Sequence, residues 1–405
     1  MNNSLIRQGA DKDRDEISMP FRSQLGPLVF LAGIFLLNFI SRIILAPLSP
    51  AMGKDLGISH GEAGSFFLLI SLGYFIALLG SGFVSSRFTH RKTIIFSATA
   101  VGMAVLIVAL SKNMWTFRFG LLLLGMAAGL YLPSGIATLT SMVNPRHWGK
   151  AIAIHELAPN LSFVMAPLVC EALLAWFSWR GVLAILGAIS LFISIAFAVF
   201  GKGGRFTGEP PTLGSSKTLF VEPAFWIMII LFSLAIAGSL GVYTMLPLYL
   251  TAERGVNSNW ANTLIALSRI SGVGVSFLAG WANDRLGPRQ TIGAVFLLTG
   301  LTTVFLGILP GSWIVIAVFL QPAVAVCFFP PGFAALSTIG PPSTRNVAVS
   351  LTVPVAFMVG AGAIPTLIGV MGDAGSFGMG IALVGGLILL GFVLSIFLKF
   401  PDIEK

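Results

Sequence analysis

Charge is what this chain has least of. Asp, Glu, Lys and Arg make up 10% of its 405 residues, against about 25% in a soluble domain. A surface so poor in charge cannot keep a chain of this size in water, which excludes a soluble globular protein. Cysteine is scarcer still. Cys170 and Cys327 are the only two, and both sit inside apolar runs, so neither a disulfide framework nor a metal site is expected. A phosphate-binding loop of the form Gly-x-x-x-x-Gly-Lys-Ser/Thr is missing, which argues against a nucleotide-driven pump. Metal-ligand clusters, nucleophile–base spacings and a channel filter motif are missing too, so the sequence points away from an enzyme, a resident cofactor or a channel. Residues 1–24 lack the apolar core and small-residue cleavage site of a signal peptide. They are polar and mixed in charge (Arg7, Asp11, Lys12, Asp13, Arg14, Asp15, Glu16) and read as a cytoplasmic tail.

What is present is apolar sequence: 56% of the residues are hydrophobic and the mean hydropathy is +0.93. Runs of about 20 apolar residues, long enough to span a bilayer as helices, recur twelve times. They cover roughly 25–48, 61–84, 93–110, 115–142, 151–174, 182–200, 224–249, 260–282, 291–309, 313–338, 347–371 and 378–398. Strands of an outer-membrane barrel would be shorter and would alternate; continuous runs predict helices, which satisfy their own backbone in lipid. The net charge of +9 would suggest nucleic acid in a soluble protein. Here the positive-inside rule accounts for it. With both termini cytoplasmic, 17 of the 24 basic residues fall on inside segments and four (Lys54, Lys112, Arg180, Arg254) on outside ones. The remaining three, Arg42, Arg118 and Arg269, lie within membrane runs. The expected setting is a bacterial inner membrane, with the chain a multi-pass monomer that has no nucleic-acid partner.

One short signature occurs twice. Its first copy is Gly82-Phe83-Val84-Ser85-Ser86-Arg87-Phe88-Thr89-His90-Arg91-Lys92. Its second is Gly280-Trp281-Ala282-Asn283-Asp284-Arg285-Leu286-Gly287-Pro288-Arg289. Pro133-Ser134-Gly135 with Leu139 and Pro145 likewise matches Pro330-Pro331-Gly332 with Leu336 and Pro342 at a constant offset, and Pro47 pairs with Pro247. Residues 201–222, rich in Gly, Pro, Ser and Lys, fall between the sixth and seventh runs and read as a cytoplasmic linker. The expected organisation is a tail (1–24), a six-helix bundle (25–200), the linker (201–222), a second six-helix bundle (223–399) and a short cytoplasmic tail (400–405).

Along essentially its whole length the chain resembles the major facilitator superfamily, whose loop signature is Gly-x-x-x-Asp-Arg-x-Gly-x-Arg-Lys. The second copy retains Gly280, Asp284, Arg285, Gly287 and Arg289. The first retains Gly82, Arg87, Arg91 and Lys92, with Ser86 in place of the acid and Thr89 in place of the glycine. The resemblance implies an all-α membrane protein in which two pseudo-symmetric six-helix bundles enclose a central cavity and work by alternating access. It also implies a gating role for Arg87, Arg91, Asp284, Arg285 and Arg289, through pairing with each other or with helix termini. Setting topology is the plainer alternative.

Charges inside the membrane are functional candidates by default. Arg269 lies about nine residues, or ~13 Å, into the eighth run, with no acid nearby in sequence. It must face a polar cavity, a partner helix or a substrate anion, and its planar fork suits carboxylate or phosphate. Arg42, in the first run, either lines the cavity or snorkels outward; Arg118 is displaced from the family's usual fourth-helix position. Glu156 is the acid placed well inside a helix, beside His155. Together they are the proton-coupling candidates, an ion pair with another helix being the alternative. Asn38, Tyr131, Asn160, Tyr243 and Gln321 complete a candidate cavity or serve as interhelical glue. Prolines in the fifth, tenth and eleventh runs mark hinges or static kinks. The leading expectation is a proton-coupled secondary transporter of a small organic anion, a carboxylate or phosphate ester. The runner-up is a proton-driven exporter of drugs or other lipophilic compounds; against it, the stretch from Ala158 to Pro167 lacks the glycines of the family's drug-antiporter motif. A transport-silent sensor on the same fold is the third possibility.

Overall fold

A computed structural model describes residues 21–208, 219–339 and 345–398. Most of the expected tail, residues 209–218 of the linker, Pro342 and the C-terminal tail lie outside the described residues. What is described is helical, with a single isolated bridge between Thr89 and Thr207. The twelve helices are α1 (Phe21–Leu56), α2 (His60–Arg87), α3 (His90–Leu110), α4 (Met114–Met142), α5 (Trp148–Leu174), α6 (Trp179–Phe200), α7 (Pro223–Glu253), α8 (Ser258–Leu286), α9 (Pro288–Ile308), α10 (Trp313–Leu336), α11 (Val347–Asp373) and α12 (Phe377–Ile396). Each coincides with one of the twelve apolar runs. Among the described residues, eleven of them are long and apolar enough to cross a bilayer, and α8 carries Arg269 in its middle.

Prolines and glycines shape these helices. α1 breaks at Ile44, three residues before Pro47, which has no N–H to offer the preceding turn. α4 breaks at Leu130 ahead of Pro133, and side chains of other helices take up the loosened carbonyls. Ser97 Oγ donates to Ala127 at 2.6 Å and Asn38 Nδ2 to Ala128 at 3.2 Å, the usual remedy where lipid offers no partner. α7 contains two π-helical turns, Ala237–Gly241 and Tyr249–Glu253, and α11 one, Met358–Ala363; the turn at Ala237–Gly241 packs against that of α11.

The helices form two compact units. One contains the described residues of Met1–Arg42, Ile76–Ser162 and Arg180–Pro211. The other contains those of Ile43–Phe75, Phe163–Trp179 and Thr212–Lys405. Each unit repeats one packing device. In the first, a Cβ on Gly102 of α3 would lie 2.9 Å from the Gly187 carbonyl of α6. In the second, a Cβ on Gly385 of α12 would lie 3.0 Å from the Gly300 carbonyl of α9. Only glycine permits so close an approach, and each glycine recurs 198 positions later (102 and 300, 187 and 385).

Helix ends follow the helix dipole, acids at N-termini and bases at C-termini. Asp373, ending α11, accepts from the backbone N–H groups of His60 (2.7 Å) and Gly61 (2.9 Å) at the start of α2. Glu253, ending α7, accepts from Phe377 and Gly378 at the start of α12. At the other helix ends, where the loop signatures lie, Arg91 donates to the carbonyls of Phe197, Ala198 and Gly201 at the close of α6. Arg289 donates to Ile396 at the close of α12.

Candidate functional site

The site residues gather in two clusters, one in each compact unit. In the second unit the centre is Arg269, half-buried in the middle of α8. Its Nη2 donates to the Ser239 carbonyl at 2.7 Å. Its guanidinium carbon lies 4.4 Å from the ring centre of Phe163 and 4.7 Å from that of Tyr243. Those rings stand nearly perpendicular, 4.8 Å apart, so the cation sits in an aromatic corner rather than a sandwich. Such contacts hold a guanidinium without neutralising it. Among the described residues no carboxylate lies within ion-pair distance of Arg269, and Ser239 is its one hydrogen-bond acceptor.

The first π turn of α7, Ala237–Gly241, builds this corner. Two of its carbonyls point sideways to partners on other helices: Ser239 to Arg269, and Gly238 to Gln321 Nε2 of α10 at 2.8 Å. Gln321 Nε2 also reaches Thr303 of α9 at 3.1 Å. π turns are rare and concentrate where a helix is adapted to a function. Tyr243, on the next turn, lies against Arg269 with its hydroxyl 3.4 Å from the Phe163 carbonyl.

In the first unit, Tyr131, His155 and Glu156 come together. The Tyr131 hydroxyl donates to the Leu31 carbonyl at 2.7 Å and stands 3.2 Å from His155 Nε2. His155 Nδ1 is 3.2 Å from Glu156 Oε1. Phe35 stacks on His155 at 4.4 Å. His155 and Tyr131 are fully buried, whereas the Glu156 side chain is 47% exposed. Asn160 is exposed, its Nδ2 donating to the Glu156 carbonyl one turn below at 2.9 Å. Asn38 is buried, and its Oδ1 has no hydrogen-bond partner among the described residues. Arg42 is buried, 6% exposed, with its guanidinium 4.6 Å over the Phe39 ring.

The signature residues are placed differently. Arg91 and Arg289 cap helices, as described above. Arg87 and Asp284 are exposed and make no hydrogen bond or ion pair among the described residues. Arg285 lies 5.4 Å over the Trp281 ring rather than against Asp284. The first copy's departures from the family pattern have visible counterparts. Gly287 has φ 84°, ψ 162°, a conformation almost reserved for glycine; Thr89, in the matching place, is extended and caps α3 by accepting from the Lys92 N–H. The start of the linker then folds back onto this copy, with Gly208 N–H donating to Ser85 and His90 N–H to Phe206.

Three elements of the site have no clear sequence signal. Phe163 is one of 33 phenylalanines. Phe35 is as anonymous. The π turn is foreshadowed only by glycines, Gly238 and Gly241, in an otherwise apolar helix. Glu171 has partners of its own, accepting from Asn259 and Asn262 of α8. Cys170 and Cys327 are both free and buried.

Twelve apolar helices of this arrangement, with charged groups confined to helix ends and two internal clusters, define a multi-pass membrane transporter rather than an enzyme. The chain belongs to the major facilitator superfamily: that family's profile matches residues 31–282. It is 25% identical over 289 residues to the probable nitrate/nitrite transporter NarK2 of Mycobacterium tuberculosis, covering 69% of this chain and 72% of the relative. It is 24% identical over 320 residues to the gallate transporter of Pseudomonas putida, covering 70% of each. Among solved structures, a bacterial homologue of the human lysosomal transporter Spinster, inward-facing and occupied, superposes with a TM-score of 0.76 at 16% identity, covering 94% of this chain and 95% of that one.

Proposed function

We propose that this protein is a secondary transporter of small organic anions, working by alternating access, with Arg269 anchoring the anion and the His155–Glu156 pair carrying a coupling proton. The observation that carries this reading is the state of Arg269: a membrane-embedded cation with one carbonyl and two rings around it and, among the described residues, no carboxylate. An anion with two in-plane oxygens meets the remaining donors of its fork. The named relatives agree in chemistry, since nitrate, nitrite and gallate are all anions with planar oxygen pairs. The further substrate-contacting candidates of this reading are Arg42, Asn38 and Asn160 in the first unit and Tyr243 and Gln321 in the second.

Proton coupling follows from the same chemistry. Moving one negative charge inward against a potential costs about 2.3 kcal/mol per 100 mV, and a proton that enters with it cancels that cost. The expected setting is a bacterial inner membrane with both termini cytoplasmic and the chain acting as a monomer.

Thermal stability of the purified protein against nitrate, gallate and a lipophilic cation tests the reading, because a ligand of the folded state raises the melting temperature. Stabilisation of the wild type by an anion, abolished in Arg269→Ala, is expected. Stabilisation by the cation alone, unchanged in Arg269→Ala, would overturn it in favour of a lipophilic-compound exporter.

A further inference from the structure

Tyr131 has one hydroxyl proton, and the geometry commits it. The hydroxyl is 2.7 Å from the Leu31 carbonyl, which can only accept, and 3.2 Å from His155 Nε2. With its proton on Leu31, the hydroxyl oxygen can only accept from the imidazole, so Nε2 carries a hydrogen. A neutral imidazole has one N–H, which leaves Nδ1 bare. Yet Nδ1 lies 3.2 Å from Glu156 Oε1. A bare ring nitrogen and an ionised carboxylate present lone pairs to each other and repel. The contact holds only if one proton lies between them, as imidazolium with carboxylate or as imidazole with carboxylic acid.

We propose that Tyr131 is a positioning residue that fixes His155 as its Nε2–H form, so that His155 and Glu156 stay together only while they share one proton. When that proton leaves for water through the half-exposed Glu156 carboxyl, the contact turns repulsive and Glu156 swings free. The bond network thus converts occupancy by a single proton into a side-chain movement. The elements around the pair bring no competing charge. α1 presents the Leu31 carbonyl and the Phe35 ring, α4 presents Tyr131, and among the described residues no further charged side chain pairs with His155 or Glu156. Phe35 stacked on the imidazole keeps its plane aligned with both partners. This inference rests on the proton-coupling reading above and moves Tyr131 from contacting substrate to setting the proton site.

The test is 15N-histidine solid-state NMR on the full-length protein in lipid bilayers, with the His155 signal identified by its loss in His155→Asn. In the wild type, the hydrogen of the neutral imidazole is expected on Nε2. In Tyr131→Phe, which keeps the ring but removes the acceptor, it should move to Nδ1 and donate to ionised Glu156. A wild-type hydrogen on Nδ1, or a tautomer indifferent to Tyr131→Phe, overturns the proposal. Should Tyr131→Phe fail to fold, the wild-type spectrum alone decides. Anion-driven proton uptake in proteoliposomes reads coupling separately. If uptake is absent while the hydrogen sits on Nε2, coupling falls and the tautomer assignment stands. If uptake is present with the hydrogen on Nδ1, the reverse holds.

Discussion

Arg269 shows how a single residue can announce itself in sequence while hiding its surroundings. A lone guanidinium in an apolar run is conspicuous because lipid makes it costly. Its partners are not, because Phe163, Ser239 and Tyr243 come from other helices and none is chemically unusual there. The same holds for His155 and Glu156: the adjacent pair stands out, whereas Tyr131, 24 residues earlier, looks like one more aromatic. Arg269→Lys is expected to separate charge from shape. It keeps the cation but loses the planar fork, so anion affinity should fall about tenfold or more, equivalent to about 1.4 kcal/mol. The melting temperature of the unliganded protein should change by only a few degrees. Titrating nitrate or gallate against thermal stability measures both. Equal anion affinity in the Lys variant would show that charge alone is recognised.

Helices were the most legible elements, since apolar length and continuity leave lipid-embedded backbone little choice. The prolines of the fifth, tenth and eleventh runs point to hinges or kinks. α10 and α11 do carry irregular turns, at Val326–Phe328 and Met358–Ala363, whereas α5 runs unbroken through Pro159 and Pro167. The breaks in α1 and α4 fall outside that expectation. The helices nevertheless run past the apolar runs into the signatures, as α2 does to Arg87 and α8 to Leu286, because polar residues beyond the lipid extend a helix as easily as apolar ones. The end of α8 is set by Gly287, whose φ of 84° strains any side chain. Gly287→Ala should therefore destabilise the protein by about 1–3 kcal/mol, visible as a lower melting temperature. The equivalent change at extended Thr89, Thr89→Ala, should cost only a helix cap, about 1 kcal/mol. An Ala at 287 that leaves stability untouched would mean that this turn relaxes.

For the molecule as a whole, duplication was legible in the repeated loops and prolines, and the structure extends it to packing. The glycine contacts between α3 and α6 and between α9 and α12, and the arginines capping α6 and α12, recur at one offset. What the sequence could not show is that α1, α2 and α5 are each divided between the compact units, because that depends on contacts between residues hundreds of positions apart, such as His60 with Asp373. Asp373→Ala removes the acceptor at the start of α2; since this carboxylate is about a third exposed, the cost should be near 1 kcal/mol, read again by melting temperature. Membrane orientation is testable too. The only two thiols are buried, so a single cysteine introduced elsewhere can be labelled without removing them. Lys112→Cys is expected to react with an impermeant maleimide in intact cells and Lys202→Cys only after permeabilisation. The opposite pattern would invert the charge-based topology.

A π turn also has a consequence for phase. It accommodates one residue more than an α turn, so everything beyond it is rotated by about 100° relative to an unbroken helix. In α7 that rotation brings Tyr243 round to Arg269, two residues after the π turn closes at Gly241. Aromatic corner and irregular backbone are thus one feature. Deleting Gly241, which leaves Ser239 in place, would restore regular phase at this turn, rotate Tyr243 about a quarter of a revolution away and open the corner while keeping the carbonyl that accepts from Arg269.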